Sequence, residues 1–384
     1  MKRYRVLCCF GTRPEAIKMA PVVRELASRS YLEVVTAVTG QHREILDQVL
    51  DLFDIPVDFD LNIMIPRQSL TDVMVNVLRG MEDVLDSVRP DMLLVHGDTA
   101  TTLGSSLAAY YRRVPVGHVE AGLRTFDRYQ PFPEEMNRVL TDHLAVLHFA
   151  PTELNRKHLL REGIGPGSIF TTGNTAVDAI MDITHQELGF ADPVLASEPW
   201  GEHRLVLVEV HRRENFGEPL RNVFRALSRL AAGDENVYLV LSVHPNPEVR
   251  KPAELLRARE RVLMLEPVTY SDWANLMARA DFIVTDSGGL QEEAPALGIP
   301  VLLTRDKTER QEAVEAGTVQ QVGTDEERVL AACRKLLNDP ALHQRMSTAQ
   351  NPYGDGRAAV RIADALEWYW GLRSEPVRAF DDVD

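Results

Sequence analysis

The chain has 384 residues, 45% of them hydrophobic, enough for two cored domains rather than one. Its 42 Lys and Arg stand against 57 Asp and Glu, a net charge of −15 that sets the surface as a whole against nucleic acid and anionic membranes. Three cysteines, Cys8, Cys9 and Cys333, cannot form a disulfide framework and fit a reducing cytosol, no apolar run is long enough to cross a bilayer, and the His and Cys spacings offer no metal site.

Residues 4–10 read as a strand, 11–15 as a turn, and 16–28 as a helix with Pro14 near its first turn. The unit then repeats. Strands are expected at 34–39, 92–95, 116–119 and 147–150, each followed by a polar signature: Gly40-Gln41-His42-Arg43, His96-Gly97-Asp98-Thr99, Glu120-Ala121-Gly122 and Pro151-Thr152. Strands alternating with helical segments predict a parallel, doubly wound sheet that binds ligands at the carboxyl ends of its strands. Around residues 163–178 and 189–201 the pattern breaks, which places a domain joint there: 1–172 as a first Rossmann-like domain and 173–357 as a second.

The second series has strands expected at 205–210, 237–243, 262–265, 282–284 and 301–303. They end at His211-Arg212-Arg213, His244-Pro245-Asn246, Glu266-Pro267, Thr285-Asp286-Ser287-Gly288-Gly289 and Thr304-Arg305-Asp306. Residues 351–356 interrupt the last helices, and the helix expected at 358–370 is read as crossing back, so that 358–384 complete the first domain.

In an acidic chain an anionic ligand has to be held by a local basic cluster, and Arg13, Lys18, Arg212 and Arg310 flank these turns. Ser287-Gly288-Gly289, at a strand-to-helix turn, reads either as an ordinary tight turn or as a diphosphate site, with no Cβ to keep the phosphate from the backbone and Glu293 about one helical turn on. Asp98 reads either as the cap of the helix that follows or as a site carboxylate. Glu120 ends an apolar strand, where an unpaired carboxylate is costly to bury, and this favours a site role. Glu134 either complements a helix N-terminus or joins the carboxylate set, and His211 and His244 are either satisfied histidines or site groups.

The motifs FGTRPEAIKMAP (10–21), VHGDT (95–99), GHVEAGLRT (117–125), HRREN (211–215), VHPNP (243–247), TDSGGLQEEAP (285–295) and NPYGDG (351–356) run over nearly the whole chain. In them the chain resembles the non-hydrolysing UDP-N-acetylglucosamine 2-epimerases. The resemblance implies a GT-B-like α/β fold, two doubly wound Rossmann-like domains facing across a cleft. It implies reversible epimerisation of UDP-N-acetylglucosamine to UDP-N-acetylmannosamine at C2, with no added cofactor. Asp98, Glu120, Glu134 and His211 match catalytic positions. Arg13, Lys18, Arg212, Trp273, Ser287, Gly288, Gly289, Glu293 and Arg310 match substrate-binding ones. Gln41, Arg67 and His244, with Glu134, match a second, regulatory substrate site of some members. The expected partners are the UDP-sugar and a second copy of the chain in a cytoplasmic homodimer, with neither nucleic acid nor membrane. Glu209-Val210 stand before His211, where relatives usually carry small or hydroxylic residues. The alternatives weighed are a GT-B glycosyltransferase with a UDP-sugar donor, a hydrolysing epimerase, and a silent nucleotide-sugar sensor with no need of the carboxylates.

Overall fold

A computed structural model describes residues 2–40, 43–65, 67–186, 188–198, 200–257 and 259–380. It divides into two compact units, Met1–Ala179 with Tyr353–Asp384, and Ile180–Pro352. The divisions fall at 179/180 and 352/353, against the 172/173 and 357/358 expected.

In the first unit the described residues form a seven-stranded parallel sheet in the order β3-β2-β1-β4-β5-β6-β7. The strands are β1 Tyr4–Phe10, β2 Leu32–Val38, β3 Phe59–Asp60, β4 Met92–His96, β5 Val116–Val119, β6 Leu147–Ala150 and β7 Ile169–Thr171. Helices cover a parallel sheet on both faces, so its central strands are apolar without alternation, as in Leu93, Leu94 and Val95, all fully buried. Each such side chain contributes about 1.5–3 kcal/mol of burial. β3 has two residues and β7 three, too short for a periodic signal, and β7 lies inside the stretch whose Gly and Pro marked a break.

The Ala358–Tyr369 helix belongs to this unit. Its first backbone N–H groups, of Ala358 and Ala359, donate to the buried Asp178 carboxylate at 3.1 and 2.8 Å, and just beyond it the Trp370 ring lies 4.4 Å from that of Tyr4, with the planes 12° apart.

In the second unit the described residues form a six-stranded parallel sheet in the order β10-β9-β8-β11-β12-β13. The strands are β8 Arg204–Glu209, β9 Val237–Ser242, β10 Val262–Leu265, β11 Phe282–Thr285, β12 Val301–Leu303 and β13 Val319–Gln321. Its core joins Val206, Val208, Leu239, Leu241 and Phe282 to the buried face of the Glu218–Gly233 helix, Val223, Phe224, Leu227 and Leu230. Both sheets reverse strand order once next to their first strand, between β1 and β4 and between β8 and β11. These switch points open a crevice at the carboxyl ends of the strands, and the polar signatures of β1, β4, β8 and β11 line the two crevices.

Candidate active site

At the first switch point the loops after β1 and β4 are tied together by one buried carboxylate. Glu15 accepts from the Gly11 and Thr12 amides at 2.9 and 2.8 Å, and from the Thr12, Thr99 and Thr102 hydroxyls at 2.9, 2.6 and 3.1 Å. Burial pushes its carboxyl up, against these donors. The tie sets Arg13, half-buried at the start of the Arg13–Ser28 helix, beside the loop that carries Asp98. Arg13 makes no ion pair among the described residues.

Asp98 is not a helix cap. Thr99 caps the Ala100–Tyr111 helix, its side chain accepting from the Thr102 amide, and this frees Asp98 to turn toward Arg138. Arg138 donates to the Asp98 carboxylate, to the Glu120 carboxylate at 3.2 Å and to the Glu120 carbonyl at 2.5 Å. Glu120 also pairs with Lys18, so Asp98 and Glu120 meet around one guanidinium and Lys18 joins them through Glu120. Glu120 is 8% exposed and sits at φ +66°, a left-handed conformation costing about 1–3 kcal/mol in a side-chain-bearing residue and retained only where surroundings enforce it. Burial pushes its carboxyl up, but the charges of Lys18 and Arg138 outweigh burial and hold it well below the usual carboxylate range.

The enforcing surroundings are a buried polar network under the β5 loop. Asp142 accepts from His118 Nδ1 at 2.6 Å, Arg124 at 2.6 Å and the Gly122 amide at 3.2 Å, while His118 Nε2 contacts the Gly97 carbonyl at 2.7 Å. Gly122 is required there: at φ +81° a Cβ would lie 2.4 Å from the Asn155 carbonyl oxygen. Glu134 opens the Glu134–Leu144 helix, half-buried, one turn before Arg138 and so on the same face. Its neighbour Glu135, 6% exposed, accepts from the Thr125 and Phe126 amides, both at 3.0 Å, and anchors the preceding loop.

At the second switch point Asp286, fully buried, accepts from the His211 amide at 3.0 Å, the Arg212 amide at 2.9 Å and the Asn215 side chain at 2.9 Å. This holds the β8 loop against the β11 turn, so the Glu209-Val210 departure leaves the loop's support intact: the Glu209 carbonyl accepts from Thr285 Oγ1 at 2.7 Å. His211 is half-buried and its ring centroid lies 5.2 Å from that of His244. Burial, with Asp286 opposing and His244 and Arg212 reinforcing, lowers its basicity, so the imidazole is neutral near pH 7. Arg212 Nε is buried without a hydrogen-bond partner, a donor held ready for an acceptor.

The glycines of the β11 turn differ in purpose. A Cβ on Gly288 would meet Arg310 Nη1 at 2.6 Å, whereas one on Gly289 would meet nothing within 4 Å. Gly288 thus lets Arg310 lie across the turn, where its Nε donates to Glu292 at 2.7 Å and its Nη1 to Glu309 at 2.5 Å. Ser287, half-buried, is fixed through its backbone: its amide donates to Thr285 Oγ1 at 2.9 Å and its carbonyl accepts from Gln291 at 3.0 Å. Glu293 lies 3.4 Å from the Tyr270 hydroxyl. Trp273, on the Tyr270–Arg279 helix, is 9% exposed.

Of the regulatory set, Gln41 lies outside the described residues. Arg67 is exposed at φ +65°, and His244, also exposed, accepts the Asn246 amide on Nδ1 at 3.1 Å, which leaves its proton on Nε2. Among the described residues no group of three or more His, Cys, Asp or Glu is placed to hold a metal, and no helix is long and apolar enough to cross a membrane.

Comparison with known proteins converges on one family. The family model for UDP-N-acetylglucosamine 2-epimerase matches residues 24–367. A Bacillus subtilis UDP-N-acetylglucosamine 2-epimerase is 49% identical over 381 residues, 99% of each chain. The crystal structure of the Neisseria meningitidis UDP-GlcNAc 2-epimerase bound to UDP-GlcNAc superposes with a TM-score of 0.84 at 44% identity, covering 94% of this chain and 99% of that one. The S. aureus MnaA–UDP co-structure gives 0.86 at 44% identity, covering 98% and 100%.

Proposed function

We propose, from the premise that the chain belongs to the UDP-N-acetylglucosamine 2-epimerase family, that it inverts C2 of UDP-N-acetylglucosamine by eliminating UDP to a 2-acetamidoglucal and adding it back. The observation that carries the reading is the pair of carboxylates, Asp98 and Glu120, bridged by Arg138 at the first switch point. In the gluco sugar the C2 hydrogen lies opposite the axial diphosphate, and in the manno epimer it lies on the other face. One base does not serve both faces, and two carboxylates on separate strand ends do.

In this reading Glu120 takes the C2 proton of the gluco sugar and Asp98, with Glu134 on the Arg138 face, serves readdition. Arg13, Arg212, Ser287, Gly288, Gly289 and Arg310 stabilise the departing diphosphate, and Glu293 accepts from a sugar or ribose hydroxyl. His211, neutral at pH 7, takes part as a proton-transfer group. No redox cofactor enters, and the working form is a homodimer.

Proton NMR of UDP-N-acetylglucosamine with the purified protein in deuterated buffer tests the proposal. Deuterium at C2 together with a manno signal is the expected result. Free N-acetylmannosamine would mean hydrolysis, and no reaction without an added acceptor would mean sugar transfer.

A further inference from the structure

His96 is the last residue of β4, opposite Val119 in the register with β5, which brings it beside the residue that follows β5, Glu120. Its side chain is 3% exposed, and neither ring nitrogen has a hydrogen-bond partner. Two unpaired polar atoms on one buried ring are rare in a folded protein and ask for an explanation. Glu120 Oε1 lies 3.9 Å from His96 Nε2, about 1 Å beyond hydrogen-bond reach.

The other groups that face this pair are Lys18 from the Arg13–Ser28 helix, Arg138 from the Glu134–Leu144 helix, and His118 of β5. Asp98 acts on it through the shared Arg138. Lys18 and Arg138 are donors without acceptors, so each stabilises Glu120 as a carboxylate and neither can receive a hydrogen bond from Glu120 as an acid. Burial pushes His96 down to about 3, with Glu120 opposing and Lys18, Arg138 and His118 adding to the effect, so the ring is neutral and carries one bare nitrogen. That nitrogen is the acceptor the cations cannot supply.

We infer that His96 is a positioning residue for Glu120, whose bare nitrogen accepts the O–H of the Glu120 acid formed when the C2 proton is taken. The inference rests on the reading of Glu120 as the base. In the step the C2–H bond breaks and its electron pair becomes the C1–C2 double bond. The C1–O bond to the diphosphate breaks with its pair leaving on UDP, and the proton passes to a Glu120 oxygen. That O–H then turns to His96, and the two side chains close by about 1 Å to bring their 3.9 Å separation within hydrogen-bond reach. His96 gains no proton; it holds the acid form against two cations that favour its loss, and so raises the basicity of a carboxylate they would otherwise leave too weak.

The test compares His96→Leu with His96→Gln, which returns an amide acceptor at similar reach, in the full chain and again in a Glu120→Gln background. UDP binding by calorimetry reports the fold, and His96→Met replaces His96→Leu should the latter not fold. Expected for His96→Leu is a fall in kcat of about 10–100-fold with KM little changed, and an acidic limb of the kcat profile moved to lower pH, because the acid form of Glu120 has lost its acceptor. His96→Gln should recover most of the rate and the limb. In the Glu120→Gln background, His96→Leu should change the rate by less than about 3-fold. An unmoved limb, equal losses in the Leu and Gln variants, or a full effect of His96→Leu without Glu120 would each overturn the inference while leaving Glu120 as the base. Near-normal turnover in Glu120→Gln alone would remove the base itself and overturn both.

Discussion

Asp98 and Glu120 share the Arg138 guanidinium, so neutralising either leaves the cation and its remaining partner in place. Glu120→Gln and Asp98→Asn should therefore keep the site's shape while each loses on the order of 10²–10⁴ in rate, the usual worth of a positioned acid or base. The Asp98 and Glu134 variants should also release 2-acetamidoglucal and UDP, seen by NMR, because they fail at readdition; retained turnover with normal UDP affinity in both carboxylate variants would sink the mechanism. Asp142 supports a second prediction. Burial pushes its carboxyl up, but His118 and Arg124 hold it far below the ordinary value of about 3.9 that it regains on unfolding. A depressed folded value means the stabilisation is complete above about pH 4 and drains as pH falls below it. Urea denaturation in acid should show that loss, and a chain as stable at about pH 3 as at neutrality would contradict it. Glu120 was legible in the sequence because a carboxylate at the end of an apolar strand has nowhere ordinary to go. Arg138 and Asp286 were not singled out: one sits mid-helix and the other inside a strand-to-helix turn, and their importance lies in partners supplied by other loops.

Taken as an element, β11 and the turn after it present Gly288 so that Arg310, from the loop that follows β12, can lie across the turn. Arg310 makes ion pairs with Glu292 and Glu309, so Arg310→Ala removes the fork that shapes the turn together with the charge proposed to face the diphosphate. UDP affinity should fall by roughly 1.5–3 kcal/mol, the scale of a charge-assisted hydrogen bond, and calorimetry on a folded variant returning the parent value would take Arg310 out of the site. The long central strands were plain in the sequence as apolar runs. β3, β7 and β13 were not, since two or three residues at a sheet edge carry no pattern that a turn lacks. Asp98 as a helix cap was a fair local reading overturned by the next residue: Thr99 can cap equally well, and only the position of Arg138 decides between them.

For the whole molecule, the regulatory expectation rests on the match of Gln41, Arg67, Glu134 and His244 to the family's second substrate site. Initial rates with UDP-N-acetylmannosamine should rise, modestly, on adding traces of UDP-N-acetylglucosamine; indifference to the traces would remove the regulatory site from this chain. The pattern of two successive αβ series was written plainly in the order of apolar runs and turns. The insertion of one unit into the other was signalled only by residues 351–356 and the apolar run after them. That insertion also imposes a timetable. The first sheet is made early, yet the helix that packs on it, Ala358–Tyr369, is translated only after the whole second unit, roughly 10–40 s after residue 179 at ordinary rates of synthesis. The second unit is continuous and complete in sequence at a point where Tyr4 still lacks Trp370 and Asp178 still lacks the amides it caps. The second unit is thus the first whose sequence is complete, and a chain cut short after residue 352 lacks part of the unit that carries Asp98 and Glu120.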